Sequence, residues 1–285
     1  MFIPAIAYYI VFCYTPIYGL VIAFKDYKIV KGFMGSSWVG VKQFQTAFGD
    51  PEFFAVFRNT LMISAYKLAI GFPAPILLAL LLNEIGNLRF KKVVQTISYL
   101  PHFISWVVLG GITINLLSPS TGVVNRIIMA LGGKPVYFIA SLRWFRTVLV
   151  ATNIWKGIGW GSIVYIAAIG GVDTELYEAA ALDGAGRLKQ VVHVVIPSIA
   201  PVIVIMLIFA VGGIVNDDFD QVFNLYNPTV YSVGDVLSTY TYRQGLERIR
   251  YSYSTAVGLF RNVISFALVV ATNAIAKHFS EYGLW

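Results

Sequence analysis

Six apolar runs set the terms for this chain. They cover residues 1–24, 60–82, 93–117, 147–170, 198–215 and 255–276. Crossing ~30 Å of hydrocarbon at ~1.5 Å per residue takes about 20 residues. Lipid offers no hydrogen-bond partner, so such runs must satisfy their own backbone, as helices. Only 12% of the residues are charged, against the roughly 25% usual for soluble domains. The expected fold is all-α: a polytopic membrane protein with six transmembrane helices in a single domain, 1–285. The first run has neither a basic start nor a small-x-small cleavage site, and it reads as a retained helix rather than a signal peptide.

The remaining composition narrows the function. A net charge of +7 is scattered, without a basic helix or an interleaved aromatic platform, which speaks against a nucleic-acid partner. Cys13 is the single cysteine, so neither a disulfide framework nor a thiolate metal site can form within the chain. His102, His193 and His278 lack metal-ligand spacing.

Even-numbered crossing places the long connections 25–59, 118–146 and 216–254 on one face of the membrane. Residues 83–92 and 171–197 lie on the other, with a short C-terminal tail. The Lys/Arg bias of the loops does not settle orientation, because the long side carries more basic residues in total. The chain opens directly in apolar residues, without a basic tail. Breaks are expected at Gly71, Pro73 and Pro75, at Gly110-Gly111, and at Pro201 and Gly212-Gly213, where neighbours or a cavity must re-satisfy the backbone. In "WKGIGWG", Gly157 and Gly161 stand four apart, a spacing that lets helices approach closely.

One segment between apolar runs has a different character: "YEAAALDGAGRLKQVVHVVIP". Asp173 is a good N-cap for a helix over 173–183, and Glu175 falls where the helix dipole favours an acid. Gly184 and Gly186 suit the left-handed conformation that ends a helix. Leu176, Ala179, Ala180 and Asp183 share a stripe, a low ridge that admits close approach. A helix this short needs a partner, so the segment reads as a docking element. Pro197 is expected to act as the elbow where docking becomes movement of the next helix.

The spacing Glu178-Ala179-Ala180, three residues, Gly184, nine residues, Val194-Val195-Ile196-Pro197 resembles the EAA loop of ABC-importer permeases, with Val and Ile as mild departures. The stretches "IWKGIGWGSIVYIAAIGGVDTELYEAA", "YGLVIAFKDY", "NLYNPTVYSVGDVLSTYTYRQGL", "STAVGLFRNVISFALVVATNAIAK" and the closing "EYGLW" look like the oligosaccharide and polysaccharide branch, nearest to alginate importers. The resemblance implies a type I importer fold in the bacterial inner membrane. It implies a second homologous permease, two ATPase subunits and an extracytoplasmic solute-binding protein as partners, with a carbohydrate as substrate. It further implies that residues 171–197 form the cytoplasmic coupling loop, with Glu178, Ala179, Ala180, Asp183, Gly184, Gly186 and Pro197 as its coupling residues. ATP and Mg would be bound by the ATPase and no cofactor by this chain. In agreement, the sequence has no GxxxxGK[ST]; its nearest stretch, "GGKP" at 132–135, lacks the spacing and the hydroxyl.

Polar residues inside a membrane are costly and face a cavity or a partner. Asn153, Lys156, Asn216, Asp217, Asp218 and Arg261 are the path candidates, with Lys67, Asn115, Asp220 and Asn273 behind them. Trp155, Phe219, Tyr226 and Trp160 could supply flat faces for a pyranose ring. Lys67, Lys156 and Arg261 would suit an anionic glycan. The competing reading is a secondary, ion-coupled transporter, which calls for repeats and midspan acids; no repeat relates the halves, and most acids lie in loops or at span ends. No nucleophile–base pair or HExxH supports an enzyme.

Overall fold

The computed structural model describes residues 2–279; Met1 and residues 280–285, with the closing "EYGLW", lie outside them. Helices account for nearly all of it. A two-stranded antiparallel hairpin, β1 (Lys25–Asp26) with β2 (Ser37–Trp38), is the only sheet among the described residues.

Each apolar run maps onto helix. The spanning helices are α1 (Ile3–Phe24), α2 (Pro51–Asn83), α8 (Arg187–Gly212) and α11 (Tyr251–Phe279). By length and apolarity, four described helices can cross a membrane, or five if one bent pair counts as a span. That pair is α3 (Leu88–Phe103) with α4 (Trp106–Leu116), set at 107° to each other. Between them and the coupling segment come the short amphipathic α5 (Val123–Ala130) and α6 (Phe145–Gly170). At 26 residues α6 has the length to span, but its polar groups keep it out of the apolar set. Of the six expected spans, four or five meet the length and apolarity of a crossing helix among the described residues, and the run at 147–170 is helical but outside that set.

The break in the third passage falls elsewhere than the glycines suggested. Gly110 and Gly111 lie inside α4, where Gly110 packs against Asn224. The chain turns instead at Pro101–Ser105, and Ser105 caps α4 by accepting from the Val108 N–H. The freed carbonyls find a cation. Lys156 Nζ on α6 donates to the carbonyls of Pro101, His102 and Ile104, and it lies 5.3 Å from the Trp106 ring.

The glycine pair of α6 also divides its work differently. A Cβ on Gly157 would meet nothing within 4 Å, whereas Gly161 lies against Pro75 of α2. The tightest approach is at Gly159, whose missing side chain leaves room for the Ser98 carbonyl of α3. So α6 is the central post: α2 packs along one side and α3 along another. Three apolar clusters hold the bundle. One, at the end that carries the coupling segment, joins Ala79 and Leu80 of α2, Tyr165 and Ile169 of α6, and Val195 and Ile199 of α8.

Candidate coupling helix and substrate path

The coupling segment folds as its residues dictate. Helix α7 spans Thr174–Leu182. The Asp173 carboxylate accepts from the Glu175 N–H at 2.9 Å, satisfying an orphan donor. At the other end Gly184 has φ +76°. The Ala185 N–H reaches the Ala180 carbonyl at 2.9 Å and the Gly184 N–H reaches Ala181 at 3.0 Å. These two bonds form a Schellman stop, which needs the left-handed residue that glycine supplies. Gly186 does not share that role. Its φ is −68°, and it is the N-cap of the next helix.

No residue of α7 is buried. Leu182 is 90% exposed and Leu188 78%, while Glu178 has no hydrogen bond or ion pair among the described residues. Such a ridge, apolar with a free carboxylate, is unsatisfied as it stands. Its opposite side is anchored: Val172, Tyr177 and Val191 pack against the cluster of α2, α6 and α8.

Pro197 is not an elbow. Arg187–Gly212 is one helix, and Pro197 sits ten residues inside it. A single widened turn at Val191–Val195 precedes the proline and accommodates the ring and its missing N–H. The bend between α7 and α8 lies at Asp183–Gly186, so the residues expected to couple split into a turn and a continuous rod.

On the opposite half of the bundle, the polar candidates converge. Lys67, Asn153, Asn216, Asp217 and Asp218 line one cavity of about 270 Å³ with Ser64, Gly71 and Phe72. Most of their polar groups are already engaged. Lys67 Nζ donates to Gln221 Oε1 at 2.6 Å. Asp218 Oδ2 accepts from the Trp106 indole at 2.6 Å, and its Oδ1 caps α9 (Phe219–Leu225). Asp217 is 2% exposed; its Oδ2 accepts from the Ser238 N–H, and Arg261 Nη1 stands 3.9 Å from Oδ1. Burial pushes the Asp217 carboxyl above the usual carboxylate range, with Ser238, Arg261 and Lys67 pulling the other way. Asn216 donates to Ser265 of α11.

Of the three cations expected to meet an anionic glycan, Lys67 is engaged by Gln221 and Lys156 by the carbonyls of the bent passage, while Arg261 stands 3.9 Å from Asp217 without a hydrogen bond to it. Trp155 is also placed apart. It faces a second, apolar cavity of about 340 Å³ with Phe138, Trp144 and Leu116. Trp160 stacks on His102 at 4.5 Å. Phe219 and Tyr226 join an aromatic group with Phe223, Tyr231 and Tyr242. Gln221, which carries no motif, is the hub: fully buried, it accepts from Lys67 and donates to the Leu149 carbonyl and Thr152 Oγ1.

Comparison with known proteins covers the whole chain. Residues 71–281 match the family described as binding-protein-dependent transport system inner membrane component. The chain is 44% identical to Protein LplB of Bacillus subtilis (strain 168), covering 100% of this chain and 90% of that protein. It is 45% identical to the polygalacturonan/rhamnogalacturonan transport system permease protein YteP of the same strain, covering 100% and 89%. Among solved structures it is similar to a chain of a bacterial ABC transporter involved in import of the acidic polysaccharide alginate, with TM-score 0.91, 41% identity and coverage of 98% and 94%. A second is the alginate transporter in complex with its alginate pentasaccharide-bound periplasmic protein, with TM-score 0.92, 40% identity and coverage of 100% and 95%.

Proposed function

The chain belongs to the binding-protein-dependent transport system inner membrane components, and from that premise we propose that it forms half of the translocation path of an importer for acidic oligo- or polysaccharides. It is a multi-pass inner-membrane permease of a sugar-importing ABC transporter. The substrate class rests on one observation. Full-length relatives at 45% and 41% identity are named for polygalacturonan/rhamnogalacturonan and for alginate. Both include uronate polymers, with a carboxylate on each uronate ring.

In this reading a second permease completes the path, a solute-binding protein delivers the glycan, and two ATPase subunits supply the work. The exposed ridge of α7 seats in the ATPase with Glu178, Ala179, Ala180 and Asp183 at the contact. Its anchored side, through Tyr177, transmits ATPase movement to α2, α6 and α8. The polar cavity around Asn153 and Lys67 lies along the path, as the half that this chain contributes. Its acids and cations offset one another, so selection for an acidic glycan falls to the binding protein and to the partner permease.

The test is ATP hydrolysis by the reconstituted transporter with its binding protein. Uronate oligosaccharides should stimulate it, and neutral oligosaccharides of equal length should not. Stimulation by the neutral sugars alone would overturn the substrate class. Uptake that survives ATP depletion with the ion gradient intact would favour an ion-coupled carrier instead.

A further inference from the structure

The hairpin after α1 is an ordered finger with its apolar residues on the outside. Ser36, itself buried, fixes its shape: Ser36 Oγ accepts from the Lys28 N–H at 3.0 Å and donates to the Gly32 carbonyl at 2.6 Å. Its base is tied to the bundle, since the Tyr27 N–H donates to Ser252 Oγ at 2.9 Å at the start of α11. From this fixed frame Val30 projects 99% exposed and Met34 85% exposed, with Ile29 beside them. A rigid segment that holds aliphatic side chains this far out is a presentation surface, not a poorly packed loop.

The finger folds back along the membrane helix. Phe33 at its tip contacts the ring of Tyr18 at 5.7 Å. Tyr18 lies six residues before the end of α1, in a stretch wound as a 3₁₀ helix. The Phe33 ring also lies 5.4 Å from that of Tyr27, beyond the helix end, so Phe33 stands beside the last turns of α1. Lys25 at the root of the finger reaches down to the Phe33 carbonyl at 2.5 Å. Trp38 stacks on Phe24 at 5.7 Å, at the level where aromatic side chains favour the membrane–water boundary. The tip therefore lies alongside the end of α1, whose first half has no buried residue.

Charge completes the pattern. Residues 25–42 carry Lys25, Lys28, Lys31 and Lys42 against the single acid Asp26. Lys28 and Lys31 flank the apolar tip, and both are exposed, Lys28 in a solvent-exposed ion pair with Asp26 at 3.8 Å. An aliphatic tip between lysines is the arrangement that enters an acyl layer while its cations meet phosphate.

We propose that residues 28–34 form a re-entrant finger that inserts into the leaflet opposite the coupling helix, with Lys28 and Lys31 binding anionic phospholipid headgroups. It would clamp the end of α1, which lacks buried contacts over its first half, to that leaflet.

The experiment uses the assembled transporter in vesicles of phosphatidylglycerol and phosphatidylcholine. Cys13 is replaced by Ser and an environment-sensitive fluorophore is attached at Val30→Cys, a site exposed enough to leave the fold intact. The expected emission is blue-shifted, quenched by nitroxide-bearing lipids and indifferent to aqueous iodide. Adding the binding protein should not change it. Lys28→Glu with Lys31→Glu should return the probe toward water-like emission in vesicles containing phosphatidylglycerol. A probe quenched by iodide and not by lipid overturns the proposal. So does one that turns blue only when binding protein is added, which would make the finger a protein dock. An unchanged spectrum in the charge-reversed variant would remove the headgroup contact. None of these readouts depends on the sugar transported.

Discussion

The coupling helix and the polar junction are opposite kinds of structure. Helix α7 owes its form to residues within twelve positions of one another, through the Asp173 cap and the Gly184 stop, and it leaves its ridge bare. The junction owes its form to residues far apart in the chain, 154 positions for Lys67 with Gln221 and 112 for Trp106 with Asp218, and it holds them inside the bundle. A local element can leave one side exposed for a partner because its cap and stop lie in neighbouring residues and its other side is anchored through Tyr177. A long-range element holds its shape only while its contacts survive. The first should fail in function while the protein stays folded; the second should fail in stability.

Gly184→Asp tests the first half and carries the largest expected effect. A non-glycine residue at φ +76° is strained, and the side chain would stand on the docking ridge. Uptake should fall nearly to zero while the chain remains in the membrane at normal amount. Glu178→Lys should do the same by reversing the free charge.

Gln221→Leu tests the second half. It strips a buried ammonium of its acceptor and removes one of the two side-chain donors to the Leu149 carbonyl, which keeps Thr152 Oγ1 at 3.3 Å, at a cost of about 2–4 kcal/mol. Thermal unfolding in detergent should drop clearly, with a matching loss of protein. Trp106→Phe, which removes the indole donor to Asp218 and shrinks the ring beside Lys156, should cost about 1–2 kcal/mol. The two together should cost less than the sum if they share one network.

Lys156→Ala sharpens the comparison by separating charge from structure. Lys156 caps the bent passage, so its loss should weaken uptake of acidic and neutral glycans alike. A loss confined to acidic glycans would return Lys156 to the path.

Legibility followed the same divide. The apolar runs, the cap at Asp173, the stop at Gly184 and the bare ridge can all be read along the chain, because each is written in neighbouring residues. The sequence also marked Lys67, Asn153, Asp217 and Asp218 as polar groups in an apolar setting, and they do share a cavity. It could not say who their partners are. Gln221 and Trp106 look ordinary until folding brings Lys67 and Asp218 to them. The same blindness misplaced two features. Proline marked an elbow at 197 that a widened turn absorbs, and paired glycines marked a break that Pro101–Ser105 provides under the cover of Lys156.

The most direct measurement is ATP hydrolysis by the reconstituted transporter carrying Gly184→Asp, with binding protein and uronate oligosaccharide present. A transporter that stays assembled but loses its substrate-stimulated hydrolysis is the predicted result. Stimulation at the unaltered rate would show that the ridge of α7 is not where the ATPase takes hold.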